Sequence, residues 1–222
     1  MVFIMDKQKV LDELKEEVVR AKLPLSESAT NVVFGKGSPN AEIMFVGEAA
    51  GRNEDLQGLP FVGAAGKNLD KLLKEVGLSL NDVYITNILK YQPPENRNPL
   101  PEEIKAHTPW LCKQITEIKP KVICSLGNYS TKFFMAGGEV DKMDEIEGIT
   151  KLHGKVKMID FCGLKIKLIP LFHPAAIIYN QKLKVEWEKD MEIVKLNLQS
   201  SVGKPSDIEI VKPEIAQKTL KL

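Results

Sequence analysis

Apolar residues recur along the chain with two different periods. Val10, Leu11, Leu14 and Val18 fall at helical spacing behind Asp6, which predicts a capped helix running to about Lys22. Runs rich in β-branched or aliphatic residues and bounded by turn residues predict strands at Ile43 to Val46, Val83 to Ile88, Val122 to Leu126 and Leu164 to Leu171. A further run, Val156 to Phe161, is joined to the last of these by Cys162-Gly163, which reads as a hairpin turn. Helical patterns separate the strands: Lys67 to Val76 stopped by Gly77, Glu102 to Ile118 opened by Pro101, and Asn128 to Met135 ended by Gly137-Gly138. Lys182 to Leu198 carries Leu183, Trp187, Met191, Val194 and Leu198 on one stripe and predicts a closing amphipathic helix.

Strand alternating with helix predicts an α/β fold whose central sheet is mainly parallel and covered on both faces. A length of 222 residues suits one compact domain, placed at 1–200, with 201–222 as a tail in which Gly, Pro and charge are mixed. The N-terminus lacks the basic flank and long apolar run of a leader, so a soluble, cytoplasmic protein is expected. Cys112, Cys124 and Cys162 are odd in number and widely spaced; neither a disulfide framework nor a CxxC metal site follows from them, and small buried hydrophobes are expected instead. A net charge of +1 gives no global attraction to polyanions. Local basic stretches do exist: Lys151, His153, Lys155 and Lys157 leading to Lys165 and Lys167, and Lys90, Arg97 and Lys105 around a Pro-rich loop. Taken alone, such runs are more often solvated faces than binding sites; for phosphate contact, the hairpin from Lys155 to Lys167 and the loop containing Arg97 are the better candidates.

Ligands of open α/β sheets bind beyond the carboxyl ends of the strands. There the chain places Gly47-Glu48-Ala49-Ala50-Gly51, Glu54-Asp55, the glycine-rich stretch Gly58 to Gly66 with Phe61, then Asn87 and finally Phe172-His173-Pro174-Ala175. A carboxylate, an amide, an imidazole and an aromatic ring meeting in one crevice suit a flat, polar ring that must be read and released. No G-x-G-x-x-G runs from the first strand into a helix, which argues against a dinucleotide site.

Taken together, GEAAGRNEDLQGLPFVGAAG, YITNILKYQPPENRNP and FHPAA resemble, in order and spacing, the three motif blocks of the family-four uracil-DNA glycosylases of bacteria and archaea. The resemblance runs from about Val32 to Leu198 and implies a three-layer α/β/α domain around a four-stranded parallel sheet. It also implies roles: Glu48 and His173 catalytic, Phe61 stacking on uracil, Asn87 reading it, and Gly47, Ala49, Glu54 and Asp55 shaping the substrate loop. Arg97 and Tyr179 become candidates for DNA contact. The implied activity is that of a monofunctional enzyme that flips uracil from DNA and starts base excision repair. A glycosylase with a broader range of deaminated bases and a non-catalytic DNA-binding module are the alternatives. One departure falls inside the blocks, since Ala50 stands where the family usually has proline.

The resemblance further implies four cysteines holding a [4Fe-4S] cluster, but those positions are occupied here by Arg20, Leu23, Tyr91 and His107. No cofactor or metal is therefore expected. Packing by Leu23 and Tyr91 is expected to replace the cluster, with Arg20 and His107 nearer the surface. The final residues, Gln217 to Leu222, begin like a sliding-clamp-binding peptide but lack its aromatic pair, which leaves a clamp as a possible second partner beside DNA.

Overall fold

The computed structural model describes residues 6–199. Both the clamp-like end and the proposed domain boundary near residue 200 lie outside that range. Asp6 caps the first helix, α1 (Lys7–Arg20), by accepting the N–H of Gln8 at 3.0 Å. The remaining elements follow in order as β1 (Lys36–Gly37), β2 (Ile43–Gly47), α2 (Arg52–Gln57), α3 (Ala64–Glu75), β3 (Val83–Asn87), α4 (Pro101–Ile118), β4 (Val122–Leu126) and α5 (Gly127–Met135). After these come α6 (Ile149–Leu152), β5 (Lys157–Phe161), β6 (Leu164–Leu171), α7 (Pro174–Tyr179) and α8 (Lys182–Gln199).

The sheet has six strands in the order β1-β3-β2-β4-β6-β5. Its centre, β3-β2-β4-β6, is the expected parallel set of four. Two antiparallel edges extend it: β5, the hairpin partner of β6, and β1, whose two residues are too short for any periodicity to show. Side chains of a strand alternate between faces, and here the alternation sorts the core cleanly. Met44, Val46, Tyr84, Ile123, Ile166 and Leu168 pack with Leu11, Val18, Ile104, Leu111, Ile115 and Phe133 from α1, α4 and α5. Ile43, Phe45, Val83, Ile85, Val122, Cys124, Ile169 and Leu171 pack with Leu69, Leu72, Leu73, Ile177, Trp187, Met191 and Val194 from α3, α7 and α8. The result is the three-layer sandwich implied by the strand and helix pattern. No helix among the described residues is long and apolar enough to cross a membrane.

The cysteines depart from expectation. Cys124 is buried in β4 as a small hydrophobe, but Cys112 and Cys162 form a disulfide, with Cα atoms 5.4 Å apart. Fifty residues separate the two in sequence, and only the sheet brings them together, by laying the middle of α4 over the turn of the β5-β6 hairpin. Cross-linking a loop of that size restricts the unfolded chain and stabilises a domain by roughly 2–4 kcal/mol. Cys162→Ser, or reduction of the wild type, is expected to lower the melting temperature by on the order of 10 °C; calorimetry in the presence and absence of reductant measures it, and an unchanged melting temperature would show that the bridge contributes nothing to stability.

Candidate active site

All four parallel strands point their carboxyl ends at one cavity of about 870 Å³, and the loops behind those ends line it. At its floor, the parallel register sets Gly47 beside Asn87. A Cβ at Gly47 would overlap the Asn87 Oδ1 atom and stand 2.8 Å from Cζ of Phe61. Glycine is therefore required here for the amide and the ring to close over the end of β2. Asn87 is 1% exposed, yet its Oδ1 accepts no hydrogen bond from any described residue. Buried polar atoms without a partner are uncommon, and this one belongs to a residue that lines the cavity.

Phe61 is held in a left-handed backbone conformation, φ 52°, which costs energy for a residue with a side chain. Its neighbours stabilise it from three sides. Lys36 in β1 donates to the Phe61 carbonyl at 2.8 Å. One oxygen of Glu54 accepts the N–H groups of Val62 (2.9 Å) and Gly63 (2.7 Å), where α3 begins. Gly66 leaves room for the Phe61 carbonyl, which any Cβ would strike. Burial holds Lys36 below the ordinary lysine range, against the pull of Asp70 at 3.9 Å and of Glu54. The Phe61 ring then lies 5.8 Å from that of His173, tilted by 34°.

His173 ends the segment that follows β6 and caps α7, its Nδ1 accepting the N–H of Ala175 at 3.2 Å. An Nδ1 used as acceptor leaves the proton on Nε2. Burial lowers His173 to about 4, with the negative charge of Glu54 opposing, so the ring is neutral at physiological pH. Across the cavity, the half-buried carboxylate of Glu48 forms no hydrogen bond within the described residues, and burial raises its pKa. Tyr129 stands nearby, pushed up to about 12 by burial and by the negative charges of Glu48, Glu103 and Asp144; its hydroxyl donates to the carbonyl of Pro99 at 3.2 Å.

Of the residues singled out from sequence, Glu48, Ala49, Glu54, Phe61, Asn87, Arg97, His173 and Tyr179 line the cavity, and Gly47 lies against two of them, Asn87 and Phe61. Asp55 does not line it. Its buried carboxylate turns toward the N-terminal segment, accepting the N–H of Thr30 at 2.9 and 3.0 Å and that of Asn31 at 3.2 Å. Ala50 is buried, and Gly51 behind it opens α2. Arg97 forms a two-pronged ion pair with Glu103, one bond of 2.9 Å, and donates to the Asn98 carbonyl at 3.0 Å. That pairing lowers Glu103 and raises Arg97, and it fastens the Pro-rich loop to the start of α4 rather than leaving a free cation. Tyr179, at the end of α7 on the cavity rim, is 89% exposed.

Several members of the basic stretches are engaged within the fold or lie away from the cavity. β6 runs toward the cavity, so at about 3.3 Å per residue Lys165 lies roughly 25 Å from His173, at the far end of the sheet. Lys167 is bound to the Asn197 carbonyl, Lys151 to Glu147, and Lys105 to Asp141. Lys90 has no exposed surface at all. Sequence reasoning also passed over Asn96 and Asn98 in the Pro-rich loop, and Gly127, Asn128 and Tyr129 behind β4. The strand-end rule that found Asn87 and His173 would have found the latter three had it been applied to β4.

At the positions where the family resemblance implies cluster cysteines, the residues do not fit one. Arg20 is exposed and pairs with Glu16 at 3.7 Å, while Leu23 and Tyr91 pack against the core. His107 is not near the surface as expected but fully buried, because both ring nitrogens are bonded within the fold. Nδ1 accepts the Lys90 N–H at 3.0 Å, and Nε2 donates to the Pro24 carbonyl at 3.0 Å. The ring stands edge-to-face with that of Tyr91, their centres 6.0 Å apart. No group of three or more metal-ligating side chains occurs among the described residues.

Residues 34–196 match the family model of the Uracil DNA glycosylase superfamily. That match spans most of the chain, which belongs to the superfamily. Its relatives narrow the placement. It is 43% identical over 183 residues to the type-4 uracil-DNA glycosylase of Archaeoglobus fulgidus, covering 82% of this chain and 90% of that protein. The type-4 enzymes of Sulfurisphaera tokodaii and Saccharolobus solfataricus are 45% and 44% identical, over 83% and 86% of this chain and 83% and 87% of their own lengths. The protein is a type-4 member of the superfamily. With no thiols at the four positions, protein purified without oxygen is expected to be colourless and free of stoichiometric iron; elemental analysis finding about four iron atoms per chain would overturn the placement of Arg20, Leu23, Tyr91 and His107.

Proposed function

We propose that the protein is a monofunctional uracil-DNA glycosylase of the cytoplasm, which takes uracil out of DNA into this cavity and hydrolyses its bond to deoxyribose, opening base excision repair. The observation that carries the reading is the unpaired Asn87 Oδ1 at the cavity floor, beside the Phe61 ring. Uracil offers a donor at N3 and an acceptor at O4, which one carboxamide satisfies together. Cytosine offers an acceptor and a donor at those places and would leave buried groups unpaired, at about 1–3 kcal/mol each. Phe61, set by Lys36, Glu54 and Gly66, supplies a fixed plane for stacking.

As the C1′–N1 bond breaks, its electron pair leaves with uracil and positive charge grows on the sugar. The neutral His173 ring donates from Nε2 to uracil O2, a bond that strengthens as that oxygen becomes anionic. Glu48, ionised and without an internal partner, orients the attacking water, accepts its proton and offsets the charge on the sugar. Outside the cavity, exposed Tyr179 stands where a side chain can fill the gap left by the extruded base. Arg97 contributes by fixing the shape of the Pro-rich loop at the rim.

Glu48→Gln and His173→Ala are each expected to slow single-turnover release of uracil by roughly a hundredfold while the fold is retained, in line with the loss of one transition-state interaction. Wild-type rates in both variants would remove these residues from the chemistry. The acid limb of the rate is expected above the ordinary glutamate range, because burial raises Glu48, and to vanish in Glu48→Gln. No step should appear near pH 6.5, since His173 titrates only at about 4. Asn87→Asp is expected to depress uracil release and raise that of cytosine relative to it; unchanged selectivity on paired oligonucleotides would mean that Asn87 does not read the base.

A further inference from the structure

Behind the cavity floor, on the face of the sheet covered by α4, lies a lysine entirely removed from solvent. The Lys90 Nζ donates to the backbone carbonyl of Asn87 at 2.7 Å, to Thr86 Oγ1 at 3.0 Å and to Gln114 Oε1. It also lies 5.8 Å from the centre of the Phe34 ring, and no carboxylate among the described residues balances it. Each of the three partners can only accept. Asn87 offers a carbonyl; the Thr86 hydroxyl already donates to the Phe34 carbonyl at 2.6 Å; and the Gln114 amide nitrogen donates to the Phe34 carbonyl at 3.0 Å and the Tyr84 hydroxyl at 3.3 Å. Three acceptors match the three protons of an ammonium, whereas a neutral amine has two and would leave one acceptor facing a lone pair.

The residue is gripped at its other end as well. Its N–H goes to His107 and its carbonyl accepts the Val33 N–H at 2.8 Å, so His107 and Gln114, two turns apart on α4, hold both the main chain and the tip of Lys90. A buried ammonium without a counter-ion is disfavoured by desolvation, which here lowers its pKa. Packing alone does not account for it, since methionine would fill a similar space without that cost. What the amine touches is the peptide unit of the residue whose amide faces the cavity.

We propose that Lys90 is a positioning residue that fixes Asn87 through its backbone carbonyl and keeps a positive charge behind the polar edge of the base, where it favours the anion that uracil becomes on leaving. This deepens the reading of Asn87 as the base-reading residue and rests on it. A charge of this kind acts on the transition state, in which negative charge has grown, more than on bound substrate. Its effect therefore depends on how much help the leaving group needs, which a purely structural role would not.

The test compares Lys90→Met with wild type on otherwise identical oligonucleotides carrying uracil or 5-fluorouracil, whose fluorine already stabilises the departing anion. The variant is expected to release uracil roughly ten- to a hundredfold more slowly in single turnover, with substrate affinity little changed, and to lose much less on 5-fluorouracil. Equal slowing on both bases, or none on uracil, would overturn the proposal. Should Lys90→Met fail to fold, the wild-type protein labelled with ¹⁵N-lysine decides the point. An ammonium resonance for Lys90 at neutral pH is expected, and a neutral amine would overturn it. Asn87→Asp separates the two levels of inference: if its selectivity is unchanged, the reading of Asn87 fails, whereas an altered selectivity together with equal slowing in Lys90→Met rejects only the role of the lysine.

Discussion

The parallel register between β2 and β3 is the constraint on which the rest depends. It sets a residue without a side chain, Gly47, directly beside Asn87, and so opens the one spot where an amide and an aromatic ring can meet over a strand end. A shift by one residue would send Asn87 to the opposite face of the sheet and place Thr86 or Ile88 at the cavity. The register is secured by the core rather than by the site, since the same alternation that turns Met44, Val46 and Tyr84 toward α4 turns Ile43, Phe45 and Ile85 toward α3.

Two kinds of support surround this floor. On the side of β1, strain is held locally: Phe61 keeps its left-handed backbone because Lys36, Glu54 and the bare Gly66 leave it no easier conformation. On the side of α4, support is delivered at a distance, since one helix holds the Pro-rich loop through Glu103, the N-terminal segment and Lys90 through His107, the amine tip through Gln114, and the hairpin through Cys112. Rigid support of this sort lets a small set of polar atoms stay fixed while the base enters and leaves.

Much of this could be read from the chain itself. The helix capped by Asp6, the four parallel strands and the positions of Glu48, Asn87 and His173 follow from periodicity and from the strand-end rule, because each depends on local pattern plus one topological principle. What escaped depends on partners distant in sequence. Lys90 reads as part of a basic surface, and only the fold shows three acceptors closing around it. The pairing of Arg97 with Glu103, and the grip of the Asp55 carboxylate on the N–H groups of Thr30 and Asn31, also show only in the fold. The pairing of Cys112 with Cys162 likewise needs the sheet to bring two distant segments together.

The junction at His107 also bears on how the protein comes into being. Pro24, Lys90 and the imidazole between them are ordinary parts of one chain, so this joint closes as the chain folds, at whatever rate α4 docks on the sheet. Its strength is then tied to that docking: whatever loosens α4 from the sheet frees the N-terminal segment and the start of the Pro-rich loop together.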